Sequence, residues 1–72
     1  MADLTAETVT DEEIRELRDS EPVTGAFMGT YNNCVIALGT DPLFGIPASQ
    51  IEISMAKGRC AEAINARRKP AP

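Results

Sequence analysis

Cys34 and Cys60 are the only thiols of this 72-residue chain, and no histidine accompanies them. Histidine is the commonest general base and metal ligand, so its absence rules out a Ser–His or Cys–His nucleophile within one chain. Two thiolates alone do not close a zinc site, which wants four ligands, and the pair lacks C-x-x-C spacing. There is no phosphate loop, dinucleotide fingerprint or calcium loop. The chain is therefore read as non-enzymatic, with no catalytic residue, cofactor or metal. Both cysteines fall on the apolar faces of expected helices, which favours reduced core residues. A disulfide linking those helices is the next reading; it would staple the fold but suits an oxidising compartment better. A reactive thiol is the least favoured, because no neighbouring basic residue lowers its pKa.

What remains are surfaces that could hold a partner. Glu12, Glu13, Glu16 and Asp19 gather on one expected helix and could imitate phosphate spacing toward a basic groove. The plainer reading, the solvated face of a capped helix, weighs heavier. Leu43, Phe44 and Ile46 sit in a Gly- and Pro-punctuated segment; a loop that apolar either folds over the core or is itself a contact surface. Arg67, Arg68 and Lys69 form a basic end that could touch a nucleic-acid backbone. Three charges fall short of the roughly 6–10 phosphate contacts of specific modules, and a complement to the helix dipole explains them as well. Gly25-x-x-x-Gly29 is a small-xxx-small pattern that lets helix backbones approach closely, or else a loose turn.

Charge is arranged along the chain as well as within these clusters. Residues 1–21 carry eight acids against Arg15 and Arg18, whereas 52–72 carry five bases against Glu52 and Glu62, and the formal total is −4. An acidic beginning and a basic end suit intramolecular pairing or head-to-tail association. They argue against a general nucleic-acid binder, since most of the field repels phosphate.

Three helices must position these residues, which makes the expected fold a small all-α domain. Residues 1–9 are read as a flexible acidic lead. Thr10 as N-cap with Glu13 three residues on predicts a capping box, Val9 and Ile14 add a hydrophobic staple, and the helix 10–19 stops before Pro22. A second helix over about 25–38, capped by Thr24 and closed by Gly39, follows from Phe27, Tyr31, Cys34 or Val35, and Leu38 at helical spacing, despite poor helix formers. A loop spans 39–48. Ser49 and Glu52 predict a second capping box opening a helix over about 49–68, ended by Pro70 and Pro72. The domain covers 10–69, with 70–72 a tail. The expected core is Ile14, Leu17, Phe27, Tyr31, Cys34, Val35, Leu38, Ile53, Ala56, Cys60 and Ile64.

So short a chain barely balances burial against entropy and needs a staple or company. With no metal site, association is favoured, and a homodimer through Gly25/Gly29 or the 43–46 loop is expected. No apolar run reaches the ~20 residues of a membrane span, and the first residues are too acidic and polar for a signal peptide. A soluble, cytoplasmic protein is the expectation.

Thr10-Asp11-Glu12-Glu13-Ile14-Arg15-Glu16-Leu17-Arg18, then Cys34 with Ala37-Leu38-Gly39, then Arg59-Cys60-Ala61-Glu62-Ala63-Ile64-Asn65-Ala66-Arg67, together resemble a set of short uncharacterised proteins of phage, prophage and mobile elements. Their pattern is roughly T-D-E-x-I-R-x-L-R, a Cys and Ala-Leu-Gly segment, and a closing R-C-A-x-x-I-N-x-A-R helix. The likeness covers about two-thirds of the chain; the Pro- and Phe-bearing loop and the Gly-rich second segment depart from it. The resemblance implies a small helical fold and a mobile-element origin, in which case the site of action is the host cytoplasm. It brings no activity with it. Size, absent catalytic residues, the acidic helix and the apolar loop favour an accessory protein that binds another protein, for instance an anti-CRISPR-like inhibitor of a host system. A small nucleic-acid-binding regulator using the third helix and its basic end, and a self-assembling structural component, are the alternatives.

Overall fold

The computed structural model describes residues 3–21 and 29–68. It is all-α: α1 (Asp11–Ser20), α2 (Thr30–Ala37) and α3 (Gln50–Arg68). At the start of α1, Thr10 Oγ1 accepts the Glu13 N–H at 3.1 Å while Glu13 Oε1 accepts the Thr10 N–H at 2.9 Å. Two donors that the helix leaves orphaned are thereby satisfied. Val9 and Ile14 are both buried in the core, as a hydrophobic staple requires. Glu21 adopts an extended conformation as the C-cap, the one a residue before proline prefers.

The second helix is shorter than expected. Thr30 opens it, Gly29 is its N-cap with no side-chain cap bond, and residues 22–28 lie outside the described residues. The readings of Thr24, Gly25 and Phe27 therefore fall outside them too, and Gly29 stands at the cap, ahead of the first helical turn. At the other end the expected glycine stop is present. Gly39 has φ +108°, its N–H reaches Ile36 O at 2.9 Å, and the Thr40 N–H reaches Val35 O at 3.1 Å. This crossed pair is a Schellman closure, which needs a residue free of a Cβ at Gly39. The second box, at Ser49, is half formed: Ser49 Oγ accepts the Glu52 N–H at 3.2 Å, while the Glu52 carboxylate takes the Ser49 hydroxyl instead of its backbone N–H.

The core is built from Val9, Ile14, Leu17, Cys34, Ala37, Ala56, Cys60, Ala61 and Ile64. Tyr31, Val35, Leu38 and Ile53, expected inside, are only half-buried. Small residues make up much of it: Cys34 and Ala37 from α2 and Ala56, Cys60 and Ala61 from α3 are all buried, with the two sulfurs 3.8 Å apart. Short side chains let the two helices lie close, which pushes longer ones to the margins.

The stretch expected to be a flexible lead is tied down from Leu4 onward. Asn65 on α3 accepts the Leu4 N–H at its Oδ1 and donates from Nδ2 to Leu4 O, each at 2.9 Å. A turn over 6–8 then brings Val9 into the core, and Ala6 lies against Gly58. The physical reason is apolar content: Leu4 and Val9 have surface to bury, and α3 offers a face to receive them.

Candidate protein-binding surface

The two ends of the molecule have opposite characters. At the carboxyl end of α3, acidic and basic candidates face each other across a shallow cleft of about 240 Å3 lined by Glu13, Glu16, Leu17, Ser20, Ile64, Arg67 and Arg68. Arg68 Nη2 pairs with Glu13 Oε2 at 3.0 Å. Arg67 pairs with Glu21 and donates to Ser20 Oγ. The Thr10 backbone N–H, opposed by partial burial and helped by the Thr10 hydroxyl and Arg68, holds the Glu13 carboxyl below its ordinary value.

Of the charged candidates, Glu13 and Arg68 are thus partners of one another, while Arg67 pairs with Glu21. Glu13 belongs to the capping box and the ion pair, which leaves it little freedom to meet an outside cation. Glu12 and Glu16 are exposed, and Asp19 is exposed beside Arg18 at 3.2 Å. Of the basic trio, Arg67 and Arg68 are engaged with carboxylates and Lys69 lies outside the described residues. The acidic beginning and basic end of the chain find each other in space, one of the arrangements their charge distribution suggested.

At the opposite end the surface is apolar and held in shape. The antiparallel bridge between Thr40 and Pro47 and the Ala48 N–H to Gly39 O bond at 2.9 Å close the base of the loop. Inside it, Asp41 acts as a clamp. Its Oδ1 accepts the N–H groups of Leu43 at 2.8 Å and Phe44 at 3.2 Å, its carbonyl accepts the Gly45 N–H at 2.8 Å, and its own N–H reaches Ile46 O at 2.7 Å. An aspartate that folds the chain around its own side chain is a recognised turn former. Gly45, at φ +68°, allows the return.

This clamp turns Leu43, Phe44 and Ile46 outward. Leu43 is 56% exposed, Phe44 69% and Ile46 54%. Ile51 and Met55, one turn apart on α3 just beyond the loop, are 75% and 53% exposed. Of the two readings of this loop, the outward one holds: it does not fold over the core.

Sequence reasoning found the loop triad but passed over Ile51 and Met55, because the helical period alone does not say which face a neighbour covers. It also passed over Asp41, whose position ahead of Pro42 and a glycine was the available signal. Among the described residues no three of His, Cys, Asp or Glu stand together as a metal site would require, and no helix is long and apolar enough to cross a membrane.

In the core, the Cys60 thiol donates to Cys34 Sγ at 3.8 Å. That contact, against the opposing effect of burial and with a smaller pull from Arg18, makes Cys34 the more acidic of the two. The same contact and burial push Cys60 well up. Compared with known proteins, the chain matches no family model, no curated protein and no solved structure.

Proposed function

We propose that this chain acts without catalysis, by protein–protein binding through its apolar end. The observation that carries the reading is the clamped loop with α3 beside it. There, Leu43, Phe44, Ile46, Ile51 and Met55 are all more than half exposed within 13 residues of chain. Scattered single hydrophobics are normal on any surface, but clustered large ones mark contact sites. The ordering of the loop adds to the argument, since a pre-shaped surface loses little entropy on binding.

The first occupant is a second copy of the chain. At on the order of 100 Å2 per exposed side chain, the five residues supply about 500 Å2. With their flanks they approach the ~800 Å2 per partner of a standard interface. The five side chains are uncharged, so two copies can meet through them about a two-fold axis, with the Asp41 and Glu52 carboxylates beside the contact. The small core favours such pairing energetically. An accessory protein of a mobile element that blocks a host factor would use the same residues for its contact. The nucleic-acid reading has less support, because Arg67 and Arg68 are already matched by carboxylates.

Sedimentation equilibrium over a concentration series tests this, comparing the native chain with a Phe44→Asp/Ile51→Asp variant whose helicity is checked by circular dichroism. The expected result is a reversible dimer that the variant loses while keeping its helices. A native chain that stays monomeric throughout, or a dimer untouched by the double substitution, overturns the proposal.

A further inference from the structure

Cys34 on α2 and Cys60 on α3 are both fully buried, 26 residues apart in sequence, with their sulfurs 3.8 Å apart. A disulfide needs about 2.05 Å. Closing the remaining gap takes rotation about the two Cα–Cβ bonds with a slight shift of the eight-residue α2. Ala37, Ala56 and Ala61, buried in the same core, are short and present no bulky side chain to the pair. No other polar or charged side chain is buried among the described residues, so the thiol pair is the one chemically reactive feature inside the fold.

We infer that the Cys34 and Cys60 thiols form an oxidation site: an intrachain cross-link of α2 to α3, made by exchange with a small-molecule disulfide. The Cys34 thiolate attacks one sulfur of the oxidant and displaces the first thiolate, giving a mixed disulfide. Cys60 then loses its proton and attacks the Cys34 sulfur, which displaces the second thiolate. The two protons given up by the protein end on the two leaving thiols. The protein is oxidised by two electrons and the small disulfide is reduced to two thiols. Because neither sulfur touches solvent, the oxidant enters only when α2 opens from α3. Exchange is therefore slow in the native chain and accelerates under mild destabilisation. The cross-link joins the two helices from which the apolar loop is hung, and it closes a loop of chain that includes it.

The test incubates the full chain with oxidised glutathione or with dithiothreitol, then measures intact mass, peptide connectivity and thermal unfolding. The expected product is a covalent monomer lighter by two hydrogen atoms, with Cys34 and Cys60 in one joined peptide. Its melting temperature should be higher by roughly 14–28 °C than that of the reduced chain. The Cys60→Ala variant should show none of these changes; if it fails to fold, the native chain's mass and melting decide alone. Thiols that stay free even in mild denaturant, glutathione adducts that never resolve into the intrachain bond, interchain cross-links, or an oxidised form that melts no higher than the reduced one each overturn the inference.

Discussion

Asn65 offers a worked test of how the chain ahead of α1 is held. Its side-chain amide makes two hydrogen bonds of 2.9 Å to the backbone of Leu4, one as acceptor and one as donor, at a partly buried site. Net contributions of such bonds run at about 1 kcal/mol each. Water can reach the freed Leu4 groups, so the full penalty for stranding them does not apply. Asn65→Ala should therefore cost about 2 kcal/mol, or a melting temperature lower by roughly 8–16 °C for a domain of this size. The loss should be local in a second readout, with hydrogen exchange rising at Leu4 and Val9 more than at the α2–α3 contact. Asn65→Asp is the sharper control. It keeps the acceptor for the Leu4 N–H but sets a carboxylate against Leu4 O, so it should be at least as harmful near neutrality. It should recover in acid, where the protonated carboxyl regains a donor. Thermal unfolding followed by circular dichroism, with amide exchange, decides. A shift equivalent to less than about 0.5 kcal/mol in Asn65→Ala, with unchanged protection at Leu4, would refute the clamp.

Three further predictions follow from the same geometry. Asp41→Ala removes the acceptor for the Leu43 and Phe44 N–H groups; it should leave the helices intact, cost about 1 kcal/mol or less, and weaken self-association in the sedimentation assay, whereas Asp41→Asn keeps the acceptor and should retain most of the binding. Gly39→Ala meets no neighbour within 4 Å but must adopt φ +108°, so the strain alone should lower stability by about 1–2 kcal/mol; an unchanged urea midpoint would contradict this. Because the Glu13 carboxyl titrates below its ordinary 4.5 in the folded chain, its stabilising contribution is complete above that value. It fades as pH falls through the lower folded value, so acid unfolding of Glu13→Gln should be shallower than that of the native chain.

Local grammar made much of this protein legible before any packing was known. The Thr10–Glu13 box, the stop before Pro22, the Gly39 closure and the Ser49 cap depend on residues a few positions apart, and they sit where their spacing put them. The absence of histidine likewise removed whole classes of chemistry from composition alone. What only the tertiary structure decided were relations across the chain. Asn65, 61 residues from Leu4, holds it; Arg67 and Arg68 pair with Glu21 and Glu13; and Ala37, Ala56 and Ala61 are buried where Tyr31, Val35 and Ile53 are only half-buried. The reason is that periodicity tells which residues share a face but not which neighbour covers that face, or how closely. Whether Ile51 and Met55 are core or surface depends on which face of α3 packs against α2 and the segment ahead of α1, a relation between segments that local spacing does not contain.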